Sequence, residues 1–442
     1  MNKKFPSTRR NFLKTGLAGA IGAPLLSFKA DGLETKPDEF KIKEYRRLGR
    51  TNFEVSDISM GAGGLTNPAV MKAALDMGVN YIDTAEHYAR GKSEESIGEA
   101  IKDFDRKKIF ITSKLNLDFF GDISKEGLTD RFYKILERLQ TPYVDCLMIH
   151  MAQSTEQILY EPFHQMFREM KAEGKVKYLG LSNHGPEHRL AGGMKEPMEK
   201  VIGAAAEDGR FDLVLFVYNF IQQEQGARII ESCKKKDMGM TLMKVNPVKF
   251  YESAQSMIKE AQEQNRELSD ETLNNLAEYE KWVQQADAFK AKYGLISEED
   301  VRDASIKFVI SNPDISAVCP SMNSFDELET FVGLSGKRLS ENELGILNHY
   351  KESLGKLYCR HACGICEPSC PHNVPVNTIL RYNHYFEAQK HEKRAMEKYA
   401  SLKIGKNLPC NTCSGYCLAA CPHNIPAQAL LVKAEQNLSL IG

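Results

Sequence analysis

From residue 44 to about residue 335, short apolar runs alternate with longer amphipathic segments. The runs DISMG (57–61), NYIDTA (80–85), IFITSK (109–114), VDCLMIH (144–150), KYLGLSN (177–183), LVLFVYN (213–219), MTLMK (240–244) and ISAVCP (315–320) have few polar interruptions. Such runs predict strands covered on both faces. Between them, segments such as PAVMKAALDMG and SEESIGEAIKDF space their apolar residues at helical intervals. Eight buried strands, each followed by a helix, predict an α/β fold of the (β/α)8 barrel type.

Polar residues punctuate this pattern at one place. Asp83, Lys114, His150, Ser182, Asn183 and Asn219 all fall at or near the C-terminal end of their strand. Singly, each reads as a polar residue leaving a strand for a turn. Six in succession mark the barrel face on which active sites are built. Tyr88 follows Asp83 closely. A tyrosine, with a free pKa of about 10, needs a nearby cation to move protons at neutral pH. A lysine against the phenol stabilises the phenolate, a carboxylate holds the lysine, and a histidine beside the phenol orients a carbonyl or alcohol oxygen. That set suits proton transfer coupled to hydride transfer.

With 442 residues, 42% of them hydrophobic, the chain has room for one large domain and a smaller one. A formal net charge of −1 gives no electrostatic case for nucleic acid, and no groove-reading helix or aromatic RNA-binding motif is present. Small molecules and protein partners remain. Of 11 cysteines, only Cys146, Cys233 and Cys319 lie outside two short C-terminal runs. Those three sit in apolar contexts and read as packed small hydrophobes. The crowding of the others reads as metal ligation.

The barrel segment resembles the aldo-keto reductases through YRRLGRTNFEVSDISMGAGGL, NYIDTAEHY, GKSEESIGEAIK, ITSK, LERLQTPYVDCLMIH, KYLGLSN and VYN, in that order. The resemblance implies a catalytic tetrad of Asp83, Tyr88, Lys114 and His150, with Tyr88 as general acid/base. It implies a nicotinamide cofactor, NAD(P)(H), whose amide is held by Ser182 and Asn183, and a small carbonyl or alcohol substrate. Two departures stand out. The glutamine usual three residues before the Tyr-Asn is Leu215 here, which cannot hydrogen-bond a cofactor. The loop after strand eight reads PSMNSFDELETF, with Asp326 and Glu327 and no Lys or Arg, so carboxylates stand where a 2′-phosphate would sit. Ser321, Met322 and Asn323 are cofactor contacts by position. A long polar stretch from Phe250 to about Val301, with the single tryptophan Trp282, reads as a lid or as an inert insertion.

The first cysteine run is Cys359-x3-Cys363-x2-Cys366-x3-Cys370-Pro371, and the second is Cys410-x2-Cys413-x3-Cys417-x3-Cys421-Pro422. Each departs by one residue from the bacterial ferredoxin pattern, in which three close thiolates hold one cubane and the fourth reaches across to the other. The resemblance implies two 4Fe–4S clusters, one on Cys359, Cys363, Cys366 and Cys421, the other on Cys410, Cys413, Cys417 and Cys370. Four-cysteine sets also suit structural zinc. The proline after each last cysteine and the repeated CPHN turn favour the clusters. Between the runs, EAQKHEKRAMEKYASLKIGKN is rich in lysine, a solvated helix or a docking face for an acidic redox partner.

Near the N-terminus, STRRNFLK precedes TGLAGAIGAPLLSF, which is too short and glycine-rich for a stable membrane span. The pair resembles a twin-arginine signal, which implies passage of the folded protein through the twin-arginine export machinery to the bacterial periplasm. The expected organisation is a signal over 1–30, a linker over 31–43, the barrel over 44–335 and a mainly helical, ferredoxin-like iron–sulfur domain over 336–442. From about residue 44 onward it resembles the subset of aldo-keto reductases with a ferredoxin-type tail. The leading expectation is an exported carbonyl/alcohol oxidoreductase whose clusters take part in electron transfer. A reductase with purely structural clusters and an electron carrier on an inactive barrel are the alternatives.

Overall fold

Every predicted strand forms. The computed structural model describes residues 40–118, 121–184, 196–247, 254–293, 298–361, 363–402, 404 and 408–439. The export-signal reading and most of the linker, residues 1–39, lie outside them. Ahead of the predicted strands, β1 (Tyr45–Arg47) and β2 (Glu54–Ser56) pair as an antiparallel hairpin. Three-residue strands are too short to leave a periodic signal. Eight strands follow: β3 (Met60–Gly61), β4 (Tyr81–Asp83), β5 (Phe110–Asn116), β6 (Val144–His150), β7 (Val176–Asn183), β8 (Leu213–Val217), β9 (Gly239–Met243) and β10 (Ala317–Val318). Each pairs in parallel with its sequence neighbour, in the order β10-β9-β8-β7-β6-β5-β4-β3. The two edges meet through the parallel bridges Ile58 with Val318 and Gly61 with Ser321, which agrees with a (β/α)8 barrel.

The hairpin plugs the N-terminal end of this sheet. Leu48 packs with Tyr81, Phe110, Cys146, Leu213 and Leu215 in one buried cluster. The approach demands Gly49, whose φ is +48° and whose Cβ, if present, would lie 2.2 Å from the Gly239 amide nitrogen. A larger apolar cluster separates the strands from their helices. The Lys125–Leu139 helix shows how it is built: Leu128, Phe132, Ile135, Leu136 and Leu139 recur on one face, and Ser124 caps the first turn through the Gly127 amide. Cys146, Cys233 and Cys319 are all buried. Burial raises their thiols, Cys233 to about 12, so they stay protonated and inert.

Glu94 is a buried carboxylate in this frame. It accepts from Ser113 Oγ at 2.6 Å and Arg138 Nε at 2.7 Å. Burial outweighs Arg138 and raises it from the usual 4.5 to about 7. The folded protein therefore holds this proton over a range in which the unfolded chain has lost it. Stability from this group is full below pH 4.5 and falls as pH rises through about 7, by about 3 kcal/mol. Urea unfolding at pH 5 and pH 8 is expected to show this loss, and Glu94→Gln to flatten it.

The stretch between β9 and β10 packs against the C-terminal segment. Its helices Ala254–Glu263 and Asp270–Tyr293 carry Met257, Leu276 and Tyr279 into an apolar cluster shared with Ile379, Leu430 and Leu431 of the C-terminal segment. Thr272 Oγ1 donates to the Asn411 carbonyl at 2.9 Å, and Gln436 Nε2 to the Met257 carbonyl at 2.8 Å. The insertion is a ledge on which that segment rests. The main elements of the segment are helices: Glu341–Leu354, Val376–Glu387, Glu392–Ala400 and Ala427–Leu438. Among the described residues no helix is long and apolar enough to cross a membrane.

Candidate active site

Asp83 closes β4 opposite Thr112 of the neighbouring β5, and Lys114 lies two residues farther along β5, on the same face. Lys114 Nζ donates to Asp83 Oδ1 and to the Thr84 carbonyl, both at 2.6 Å. Lys114 is fully buried, and the Asp83 side chain is 5% exposed. Tyr88 opens a short turn beyond β4, and its ring centroid stands 4.9 Å from Lys114 Nζ. His150, the last residue of β6, meets the Tyr88 ring edge-on at 5.6 Å and stacks on His87 at 4.7 Å. The four residues expected to form the tetrad, three from strand ends and Tyr88 from the turn after β4, are brought together on one face.

Their electrostatics follow from burial and neighbours. Removal from water raises the Tyr88 phenol, Lys114 pulls it back, and the net direction is up. The phenol is therefore protonated at neutral pH. Burial depresses the Lys114 ammonium, but Asp83 and Tyr88 more than offset this and hold it above its ordinary value. A permanent ammonium beside a protonated phenol is poised to give up the phenolic proton and to stabilise the phenolate left behind.

The other expected residues divide. Ser182 and Asn183 end β7 at this same face, where Ser182 Oγ accepts from the Met151 amide at 2.9 Å and Asn183 Nδ2 donates to the Ala152 carbonyl at 2.8 Å. They tie β7 to the loop after β6. Asn219 is a loop organiser: its Oδ1 accepts from the Ile221 and Gln222 amides at 3.1 and 3.0 Å. Leu215 points into the barrel cluster. In the loop after β10, the Met322 side chain is fully buried in the main core, so it packs and its position alone gave no sign of this. Ser321 pairs with Gly61, and the Asn323 amide donates to Glu327 Oε2 at 2.7 Å. Asn323 Oδ1 is buried with no hydrogen-bond partner among the described residues.

Three polar residues not singled out by the pattern also converge here. Lys244, just past β9, lies 2.9 Å from His184 Nδ1 and 2.6 Å from His361 Nε2. His150, His184 and His361 form a row with ring separations of 6.2 and 6.3 Å. Lys244 carried the same strand-end signal as the other six; His361, lodged between Cys359 and Cys363, had none pointing to the barrel.

The cysteines ring two recesses. Cys359, Cys363, Cys366 and Cys421 line one, with Val376, Asn377 and Ile425. Cys370, Cys410, Cys413 and Cys417 line the other, with Val374, Val376 and Leu431. Each set draws three thiols from one run and its fourth from the other. The CPHN turns act alike: the Val374 amide donates to Cys370 Sγ and the Ile425 amide to Cys421 Sγ, both at 3.4 Å. Asn377 Nδ2 adds a contact to Cys359 Sγ at 3.2 Å. Donors aimed at sulfur and an apolar surround suit a thiolate-held inorganic cluster. A zinc site would draw four sulfurs to about 2.3 Å of one ion. Among the described residues no group of three or more His, Cys, Asp or Glu is set to hold a single metal ion.

An eight-stranded parallel sheet whose edges meet, with Tyr88, Lys114, Asp83 and His150 gathered at its C-terminal rim, places the chain among the (β/α)8 barrels. Residues 66–352 match the model of the aldo/keto reductase family. The uncharacterized oxidoreductase YqkF of Bacillus subtilis is 23% identical over 71% of this chain and 98% of its own length. The aldo-keto reductase YhdN of the same organism is 30% identical, over 33% of this chain and 48% of its own. Among solved structures, aldo-keto reductase AKR11C1 from Bacillus halodurans superimposes with a TM-score of 0.51 at 20% identity, over 72% of this chain and 99% of that one. The chain belongs to the aldo/keto reductase family and is an oxidoreductase. The family match ends before the first clustered cysteine, Cys359.

Proposed function

We propose that this oxidoreductase interconverts a small carbonyl compound and its alcohol, with Tyr88 as proton donor and NAD(P)(H) as cofactor, and that two 4Fe–4S clusters are part of the working protein. The observation that carries the reading is Lys114, buried between Asp83 and the ring of Tyr88. Nicotinamide, when bound, supplies or accepts a hydride. The chain does the rest. Asp83 fixes the ammonium, Lys114 steadies the charge that develops on the Tyr88 oxygen, and His150 bounds the space beside the phenol where a carbonyl oxygen is oriented. Ser182, Asn183, Ser321 and Asn323 hold the cofactor in this reading. Asn323 Oδ1, buried with no hydrogen-bond partner among the described residues, and Gly64, whose missing side chain lets Asn323 approach closely, support this reading of the loop after β10.

The two crossed cysteine sets hold the clusters, which when bound supply single-electron transfer. The row from His150 through His184 to His361 runs from the tetrad to the first cysteine run and supports a working link between them. A redox partner would meet the lysine-rich segment between the runs. Export through the twin-arginine machinery to the periplasm belongs to the same proposal and rests on STRRNFLK. The experiment is iron and acid-labile sulfide per chain, with nucleotide measured in the denatured extract. Two clusters are expected in the natural sequence, and loss of one in Cys421→Ala and in Cys370→Ala. Absence of both iron–sulfur absorption and nucleotide binding overturns the proposal.

A further inference from the structure

The loop after β10 carries carboxylates and no cation, and the structure brings a cation to it from elsewhere. Arg394 lies on the Glu392–Ala400 helix, in the segment between the two cysteine runs. A methyl group placed on Gly64 would stand 3.3 Å from Arg394 Nη1 and 2.8 Å from Asn323 Oδ1. One placed on Gly63 would stand 3.8 Å from both Arg394 Nη2 and the Cε2 edge of Tyr88. Arg394 thus borders the glycines after β3, the loop after β10 and the phenol at once. Burial raises the Tyr88 phenol overall, and Arg394, after Lys114, is among the charges that oppose the rise. The side chain is half-buried, and among the described residues no carboxylate pairs with it. Glu327, on the Phe325–Val332 helix, accepts from the Asn323 amide at 2.7 Å. A half-buried guanidinium with no carboxylate partner among the described residues, its fork set against two glycines beside the phenol, offers two parallel N–H donors to an oxyanion.

We propose that Arg394 is the oxyanion receptor of the barrel site, delivered by the C-terminal segment in place of the cation the β10 loop lacks. The ligand is a phosphate of the dinucleotide or a carboxylate of the substrate, so the proposal rests on the carbonyl-reductase reading of the site. It makes the C-terminal segment a wall of the substrate and cofactor space as well as a holder of clusters.

The test measures binding, not turnover, in the full chain with its natural sequence, in Arg394→Gln and in Arg394→Lys. Fluorescence titration gives Kd for NADPH and NADH, and calorimetry gives Kd for pyruvate and its neutral methyl ester. Arg394→Gln is expected to weaken at least one anionic ligand fivefold or more, with Arg394→Lys recovering most of the loss. A larger effect on NADPH than NADH assigns the 2′-phosphate, an equal effect on both assigns the pyrophosphate, and an effect on pyruvate but not on its ester assigns a substrate carboxylate. Smaller shifts throughout, or no binding of any of these by the natural sequence, overturn the proposal. Failure of the tetrad reading is seen separately, as turnover that survives loss of the Tyr88 hydroxyl.

Discussion

Tyr88→Phe is expected to lower kcat for carbonyl reduction by about 10²–10⁴-fold, the range over which a positioned acid contributes, while Kd for NADPH stays within about twofold. The ring survives the substitution, and with it the contact to His150 at 5.6 Å. What disappears is the hydroxyl, held in its protonated form by burial and placed beside the Lys114 ammonium. The substituted site can still accept a hydride donor and a carbonyl but offers no phenolic proton to the alkoxide. Single-turnover oxidation of bound NADPH separates the two steps. Unchanged turnover would show that the tetrad is assigned wrongly.

The second large effect is on stability. Lys114→Met is expected to destabilise the fold by about 3–5 kcal/mol, because it strands a buried charge. Asp83 is 5% exposed on its side chain, and Lys114 Nζ is the cation that reaches it, at 2.6 Å. The methionine fills the volume but also leaves the Thr84 carbonyl without its donor. Asp83→Asn in the Lys114→Met background removes the stranded charge and is expected to recover part of the loss. Denaturant unfolding of the two single variants and the double variant measures the coupling directly. A double variant no more stable than Lys114→Met would show that Asp83 is not stabilised by this pair. Activity is expected to be lost in all three.

The same residues show how far the sequence reads. The barrel strands were legible because strands covered on both faces are written as nearly unbroken apolar runs, and β5, β6 and β8 are buried at every position. Asp83, Lys114 and His150 were legible because parallel strands all point their C-terminal ends to one face, so strand order converts directly into proximity. The crossed cysteine sets were legible only through the resemblance of the two runs to the bacterial ferredoxin pattern, in which the fourth thiolate of each run reaches across to the other. The β1–β2 hairpin was not, since three residues carry no period. Nor was the burial of Met322, which takes its place in the core from a loop position by packing alone.

By itself the sequence determined the strand series, the face that carries the polar residues and the crowding of eight cysteines into two runs, all of which depend on periodicity and spacing over short distances. Only the tertiary structure decided that the insertion before β10 is a ledge for the C-terminal segment. It alone decided that His361 meets Lys244, and that Arg394 stands beside Gly63, Gly64 and Tyr88. Those contacts join segments far apart in the chain, and apolar patterning records how deeply a residue is buried without recording which distant surface buries it.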